Sequence, residues 1–228
     1  MYHQATKTAG GTPVDLAAED APPVVFQGFY ARFGKRALDI CIALLAAPFV
    51  TPLVAVLALI VRRDGGPAFY GQARVGRGGR RFTCWKLRTM VADADDQLAA
   101  HLAGCPEARL EWDETQKLRD DPRVTRIGAL LRAASFDELP QILNILLGDM
   151  SFVGPRPFTP DQQHLYHGRS YYALRPGLSG YWQVEDRNDV SFASRATYDA
   201  RYAQDLSLPV DLRVIARTLA VVVRCTGR

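Results

Sequence analysis

The stretch Ile40-Cys-Ile-Ala-Leu-Leu-Ala-Ala-Pro48-Phe-Val-Thr-Pro52-Leu-Val-Ala-Val-Leu-Ala-Leu-Ile-Val61 carries no charged residue. At a rise of about 1.5 Å per residue it reaches about 30 Å, the depth of a bilayer's hydrocarbon core. A spanning helix is one reading. Two features weigh against it. Pro48 and Pro52 sit mid-run, and each lacks the N–H that would close a helical turn, so each bends or interrupts the helix. Basic residues also flank both ends, with Arg32, Lys35 and Arg36 before the run and Arg62 and Arg63 after it. Positive charge favours the cytoplasmic side of a membrane, and two basic ends are satisfied together if both stay there. The residues therefore favour a re-entrant helix that enters one leaflet, breaks near Pro48 and Pro52, and returns. A spanning helix and a buried core helix are the alternatives.

Working outward, residues 1–27 are rich in Ala, Thr, Gly, Pro and Asp with no apolar period, and read as a disordered tail. Residues 28–63 form the membrane helix with its basic flanks, and residues 64–228 read as a catalytic domain on the cytoplasmic face. The chain has 228 residues, 48% hydrophobic and 23% charged, enough for a folded domain with a core. A net charge of +4 suits anionic lipid or anionic substrates, and equally a bland basic protein. Nothing in it points to nucleic acid. Cys41, Cys84, Cys105 and Cys225 lack metal-ligand spacing and read as free thiols. His164 and His167, without further ligands, read as surface residues.

After the apolar run, Ala68–Tyr70 and Phe82–Leu87 are strand-like. The basic, Gly-rich turn between them, Gly76 to Gly79, predicts a hairpin. Val91 to Arg119 is polar and acidic and reads as a helical, solvated connector. Asp120 to Gly128 reads as a turn and Ala129 to Ala134 as helical. Ser135, three residues before Glu138, has capping-box spacing. It predicts a helix with Asp137 and Glu138 in its first turn, Pro140 tolerated there, and Gly148 as its stop. Arg175 to Val184 reads as turn and strand. Leu208 to Arg224 reads as a basic amphipathic helix, resting on a membrane or packed on the core. The fold class expected is α/β and mostly helical, with a small hairpin or sheet and a monotopic membrane helix.

The chemistry centres on Asp137 and Glu138. Adjacent helical carboxylates project about 100° apart, so they divide tasks. One can attack a phosphoryl centre while the other holds Mg²⁺, which favours one or two carboxylates plus phosphate oxygens. Phosphate chemistry needs fixed cations, and Lys86, Arg88, Arg132 and Arg156 are the candidates. Arg156 is held between Pro155 and Pro157, which restrict the chain on both sides. Each cation alone reads as a solvated or headgroup contact. Together, beside a proline-bearing membrane segment, they favour phosphate binding. The spacing Gly71-x-x-x-x-Gly76 lacks the Lys-Ser/Thr of a phosphate-binding P-loop. Glycosidase chemistry is disfavoured, because neighbouring residues can hardly flank a sugar at the separation of about 5 Å or more that hydrolysis requires.

An ordered set of motifs runs from about residue 30 to the C-terminus. They are Lys35-Arg-Ala-Leu-Asp39, Gln72-x-Arg-Val-Gly76, Trp85-Lys-Leu-Arg-Thr-Met90, Asp121-Pro-Arg-Val-Thr-Arg-Ile-Gly128, Leu131-Arg132, Ser135-x-Asp-Glu-Leu-Pro-Gln141, Gly148-Asp-Met-Ser-Phe-Val-Gly-Pro-Arg-Pro157, Arg175-Pro-Gly-Leu-Ser-Gly180 and Trp182-Gln-Val184 with Arg187-Asn188. In this the chain resembles the bacterial sugar transferases that prime surface polysaccharides, the monotopic phosphoglycosyl transferases. The resemblance implies transfer of a hexose-1-phosphate from a UDP-sugar to polyprenyl phosphate, with release of UMP, at the cytoplasmic face of the bacterial inner membrane. It makes Asp137 the nucleophile, Glu138 the Mg²⁺ ligand, and Lys86, Arg88, Arg132 and Arg156 the contacts to the diphosphate or the lipid phosphate. The implied partners are the UDP-sugar, the polyprenyl phosphate and inner-membrane lipid, with a homodimer left open. The sequence departs from the family at Phe136, often Leu, and at Glu185-Asp186, usually Ser-Gly. Direct transfer without a covalent intermediate and a non-catalytic membrane scaffold are the competing readings.

Overall fold

The computed structural model describes residues 28–115, 118–185 and 192–223. The expected tail at 1–27 lies outside the described residues, as do Asp186, Arg187, Asn188, Arg224 and Cys225. The apolar run folds as helix α1 (Lys35–Val61), 27 residues long and preceded by a π-helical turn at Tyr30–Gly34. The expected interruption at Pro48 and Pro52 does not occur, since both lie inside the helix. Pro48 cannot donate to the Leu44 carbonyl, nor Pro52 to that of Pro48, but both losses fall on one face and the flanking turns stay helical. Only 11% of its most apolar window is buried within the protein, which removes the buried core helix from the alternatives.

Both ends of α1 dock on the same domain. At the start, Lys35 Nζ lies 2.8 Å from Asp211 Oδ2, and Asp39 accepts 2.9 Å bonds from Ser151 Oγ and the Phe152 amide. Arg36 donates to the carbonyls of Ile145 and Leu146 at 2.6 and 2.9 Å. Lys35 and Arg36 are therefore not free flanking charges, because the domain's own acceptors take them up. At the far end, Ala58 and Val61 join Ala68, Leu87 and Leu131 in a small core. Between these anchors Leu44, Leu45, Phe49 and Val56 are exposed.

The hairpin forms as expected, with longer strands than the sequence suggested. Strands β1 (Phe69–Val75) and β2 (Arg81–Leu87) pair antiparallel, Phe69 opposite Leu87 and Val75 opposite Arg81. Residues directly opposite share a face. Gln72 and Arg74 therefore point the same way as Cys84 and Lys86. The connector folds as α2 (Ala94–Gly104) and α3 (Pro106–Thr115). Helix α4 (Arg126–Ala133) starts earlier than read, because Thr125 Oγ1 caps it by accepting from the Gly128 amide at 2.9 Å.

The capping box at Ser135 does not form. Ser135 adopts φ 58°, ψ 22° and caps nothing with its side chain. Phe136–Glu138 is a single 3₁₀ turn, and helix α5 (Gln141–Leu147) begins only after Pro140. Proline has no N–H to give an earlier turn, so it can only open a helix. Gly148 at φ 92° stops α5 as expected.

Beyond it, β3 (Ser151–Val153) pairs parallel with β4 (Gly177–Ser179). Short helices α6 (Ser170–Ala173) and α7 (Tyr181–Glu185) lead to α8 (Arg195–Asp205) and α9 (Leu208–Val223). Helix α9 buries Val214 against Val153, Leu174 and Tyr202, while Leu212 and Leu219 stay exposed. It packs on the core with one face and leaves apolar residues outside. An aromatic cluster of Phe158, Tyr166, Tyr171 and Phe192 fills the space behind the strands.

Candidate active site

The register of the hairpin builds the site. Lys86, on the inner face of β2, reaches the 3₁₀ turn, where its Nζ lies 2.7 Å from Glu138 Oε1 and 3.7 Å from Asp137 Oδ2. Arg156 Nη2 reaches the same Glu138 oxygen at 3.2 Å. Arg132, at the end of α4, hydrogen-bonds Thr89 Oγ1 through Nε at 2.9 Å and places its charge beside Asp137. Three of the four predicted cations thus converge on the paired carboxylates.

The support around them is rigid. Asn144, buried on α5, accepts from the Trp85 amide at 3.1 Å and donates to the Thr83 carbonyl at 2.7 Å. These bonds lock α5 to β2, and so fix the carboxylate turn relative to Lys86. Preorganised charges of this kind need no rearrangement as the reacting group changes charge.

Asp137 is buried. Desolvation pushes its carboxyl above the usual range, Lys86, Arg132 and Arg156 pull it down, and Glu138 adds to the rise. Arg132 is held below its ordinary value by burial, with Asp137 and Asp121 opposing that. Perturbed groups clustered with specific partners mark functional sites.

Arg88 is not brought to this cluster. It follows the end of β2, and its Nη2 donates to the carbonyl of Val61 at 3.2 Å, at the C-terminus of α1. Pro48 and Pro52 lie in α1, exposed, and take no part in the cleft. The exposed His164 and His167 likewise stand apart.

Other residues complete the cleft without having been given a role at the site in the sequence reading. Arg74, Cys84, Gln141, Pro157, Gly177 and Leu178 line it with Lys86, Glu138 and Arg156. Arg74 donates to the Pro157 carbonyl at 3.0 Å and to Gln72 Oε1 at 2.5 Å, so it braces the Pro155-Arg156-Pro157 segment. Arg195 stacks on Trp182 and Phe192 at 4.1 and 4.5 Å, with Arg74 and Arg156 among its charged neighbours. Burial and those like charges hold it down at about 10. Arg74 could have been found from the alternation once Lys86 was placed. Arg195 had no such signal, since only the fold brings α8 here.

No group of three His, Cys, Asp or Glu side chains occurs among the described residues. The two carboxylates suit a cation that takes one or two protein oxygens and completes its shell with phosphate and water, the habit of Mg²⁺.

Comparison with known proteins gives the chain's family. A family model described as bacterial sugar transferase matches residues 30–225. The exopolysaccharide production protein ExoY of Sinorhizobium fredii is 46% identical over 197 residues, covering 85% of this chain and 86% of that one. The undecaprenyl-phosphate galactose phosphotransferase of Salmonella typhimurium is 43% identical over 199 residues, covering 86% of this chain but only 42% of that one. The UDP-glucose:undecaprenyl-phosphate glucose-1-phosphate transferase of Caulobacter vibrioides is 39% identical over 196 residues, 81% of this chain and 68% of that one.

Proposed function

The chain belongs to the bacterial sugar transferase family, and from that premise we propose that it moves a hexose-1-phosphate from a UDP-sugar to undecaprenyl phosphate. The observation that carries this reading is the convergence of Lys86, Arg132 and Arg156 on Asp137 and Glu138. Galactose and glucose are the sugars in the relatives' names, and either suits the reading.

In the proposed mechanism Asp137 Oδ attacks the phosphorus that carries the sugar. The bond from that phosphorus to the UMP oxygen breaks, its electron pair leaves with UMP, and an aspartyl-phosphosugar remains. The phosphate oxygen of the lipid then attacks the same phosphorus and frees the Asp137 carboxylate. Lys86, Arg132 and Arg156 offset charge on the phosphoryl oxygens throughout. In the free chain Glu138 Oε1 occupies both Lys86 and Arg156, and the cleft between them measures only about 10 Å³. The donor's phosphates therefore compete with Glu138 for those cations. Glu138, released from them, is the residue to hold Mg²⁺, which supplies further charge neutralisation at the diphosphate.

The membrane reading follows from α1. Straight, its 27 residues extend about 40 Å, and a spanning helix parts its two ends by the whole bilayer. Here both ends touch one domain, which supports a helix whose two ends stay on a single face of the membrane, and the exposed Arg32, Arg62 and Arg63 at those ends favour the cytoplasmic face. The test of function is UMP release across a panel of UDP-sugars, with and without undecaprenyl phosphate. Sugar-phosphate transfer is expected for one or a few hexoses and lost in Asp137→Asn. Transfer at near wild-type rate by that variant would sink the mechanism.

A further inference from the structure

Two arginines beside the cleft have no ion-pair partner among the described residues. Arg74 lines the cleft with Lys86, Glu138, Arg156 and Leu178. It gives Nη1 to the Pro157 carbonyl and Nη2 to Gln72 Oε1, both neutral acceptors, and its Nε is buried without a hydrogen-bond partner. Arg195, on α8, lies over the rings of Trp182 and Phe192, and its Nε is likewise buried and unpartnered. Asp199, one turn along α8, offsets Arg195 without reaching ion-pair distance, and it accepts from Tyr166 Oη at 2.6 Å.

The same stretch of chain carries both arginines and Arg156. Val75, next to Arg74, donates to the Phe158 carbonyl at 3.0 Å. Phe192, under Arg195, meets Phe158 edge-on with ring centroids 6.0 Å apart, and Phe158 follows Pro157 directly. Burial and then Arg156 hold Arg74 below its ordinary value, with Cys84 and Glu138 opposing. Three guanidiniums thus have one ion-pair partner, Glu138, which already takes Lys86. Charge withdrawn from water and left unpaired is costly, and an anion placed among the three relieves that cost.

We propose that Arg74 and Arg195 join Arg156 in a seat for the leaving phosphate of the donor, the one that departs as UMP. This rests on the transferase reading given above. Position favours that phosphate over the attacked one. The charges acting most on Asp137 are Lys86, Glu138, Arg132 and Arg156, and those acting most on Arg195 are Arg156, Asp199 and Arg74. Arg156 is common to both sets. It stands at the junction, with Lys86 and Arg132 on the nucleophile's side and Arg74 and Arg195 on the other. In-line displacement puts the leaving oxygen opposite the attacking one. Asp137 attacks from the side of Lys86 and Arg132, so the second phosphate, one bridging oxygen away, emerges toward Arg74 and Arg195. As the bond from phosphorus to that oxygen breaks, its electron pair stays with UMP. The two guanidiniums donate N–H bonds to the UMP phosphate as its charge grows.

The plainer role is bracing, in which Arg74 fixes the Pro155-Arg156-Pro157 segment and touches no substrate. The two half-reactions separate the roles, because UMP has left before the lipid arrives. Arg195→Gln is the main variant, since Arg195 makes no hydrogen bond to that segment, and Arg74→Gln is its companion. Quenched mixing of the full chain with UDP-galactose or UDP-glucose, read by intact mass, gives the rate of adduct formation. Undecaprenyl phosphate added to preformed adduct gives the rate of discharge, and inhibition by UMP is measured alongside. In both variants adduct formation is expected to slow about 10²-fold, the scale for one preorganised charge contact, and UMP to inhibit about tenfold less strongly. Discharge is expected to stay within about twofold of wild type. Equal slowing of both steps overturns the proposal in favour of bracing. Slowing of discharge alone overturns it by giving these arginines to the lipid phosphate. Adduct formation and UMP inhibition at wild-type levels in Arg195→Gln overturn it as well. Transfer by the wild-type chain without any adduct removes the covalent reading instead, and UMP inhibition then decides the seat by itself.

Discussion

Lys86 and Arg88 leave the same end of β2 two residues apart, yet they serve different regions. Lys86 is on the paired strand, and its register aims it at Glu138 and Asp137. Arg88 comes just after the strand ends, and turns to the last carbonyl of α1, that of Val61, and to Gly66. The first region is tight and charge-balanced, with carboxylates already holding the cations. The second is open and apolar-walled, with its guanidinium only partly hydrogen-bonded. The difference separates a region built around paired carboxylates from one that ties the end of α1 to the hairpin. Residue type alone would have assigned both cations to one phosphate.

The largest effects should come from the tight region. Lys86→Ala is expected to lower kcat/KM about 10²- to 10³-fold, the scale for one preorganised charge contact, as measured by UMP release. Arg88→Ala, which leaves the carboxylate cluster intact, should lower kcat/KM by less than about tenfold in the same assay. A loss as large as that of Lys86→Ala would erase the distinction between the regions.

A structural effect comes next. Lys35→Met removes the partner of buried Asp211, which also accepts from Tyr202 at 2.6 Å. Stranding that carboxylate should cost about 3–5 kcal/mol, seen as a lowered unfolding midpoint in detergent. The loss should appear in both regions, since Lys35 anchors α1.

The pH dependence sharpens the contrast further. On the proposed mechanism Asp137 must be ionised to attack, and burial holds its pKa above the usual carboxylate range. The rate should therefore fall as pH drops through that raised value. Lys86→Ala removes the strongest opposing charge and should move this acid limb to higher pH, while Arg88→Ala should leave it in place. A smaller effect belongs to Asp199, which burial pushes up to about 7 despite Tyr166 and Arg195. Between its unfolded value of about 4 and 7, the unfolded chain has lost this proton and the folded chain keeps it. Stability should fall as pH rises across that window, and Asp199→Asn should flatten the slope in a thermal melt.

The membrane helix, the hairpin and the carboxylate pair were legible because each is local: an uncharged run, a Gly-rich turn, two adjacent acids. The order of motifs added the family. What was not legible depended on contacts distant in sequence. Lys35 and Arg36 looked like flanking charges, and only the positions of α5 and α9 show that Asp211 and two α5 carbonyls receive them. Ser135 had the spacing of a cap, but Pro140 delays the helix and leaves Ser135 in a left-handed turn. Arg74 needed the register, and Arg195 needed the packing of α8. Pro48 and Pro52 read as a break, yet α1 runs through both, because a long helix can lose two donors on one face and continue.

The central claim is that Asp137 carries the sugar phosphate. Intact-mass measurement of the chain mixed with its UDP-sugar, without acceptor, tests it directly. The account predicts one hexose-phosphate adduct per chain, localised to Asp137, absent from Asp137→Asn and discharged by undecaprenyl phosphate. Transfer to the lipid with no adduct in the wild-type chain, or an adduct that persists in Asp137→Asn, would contradict it.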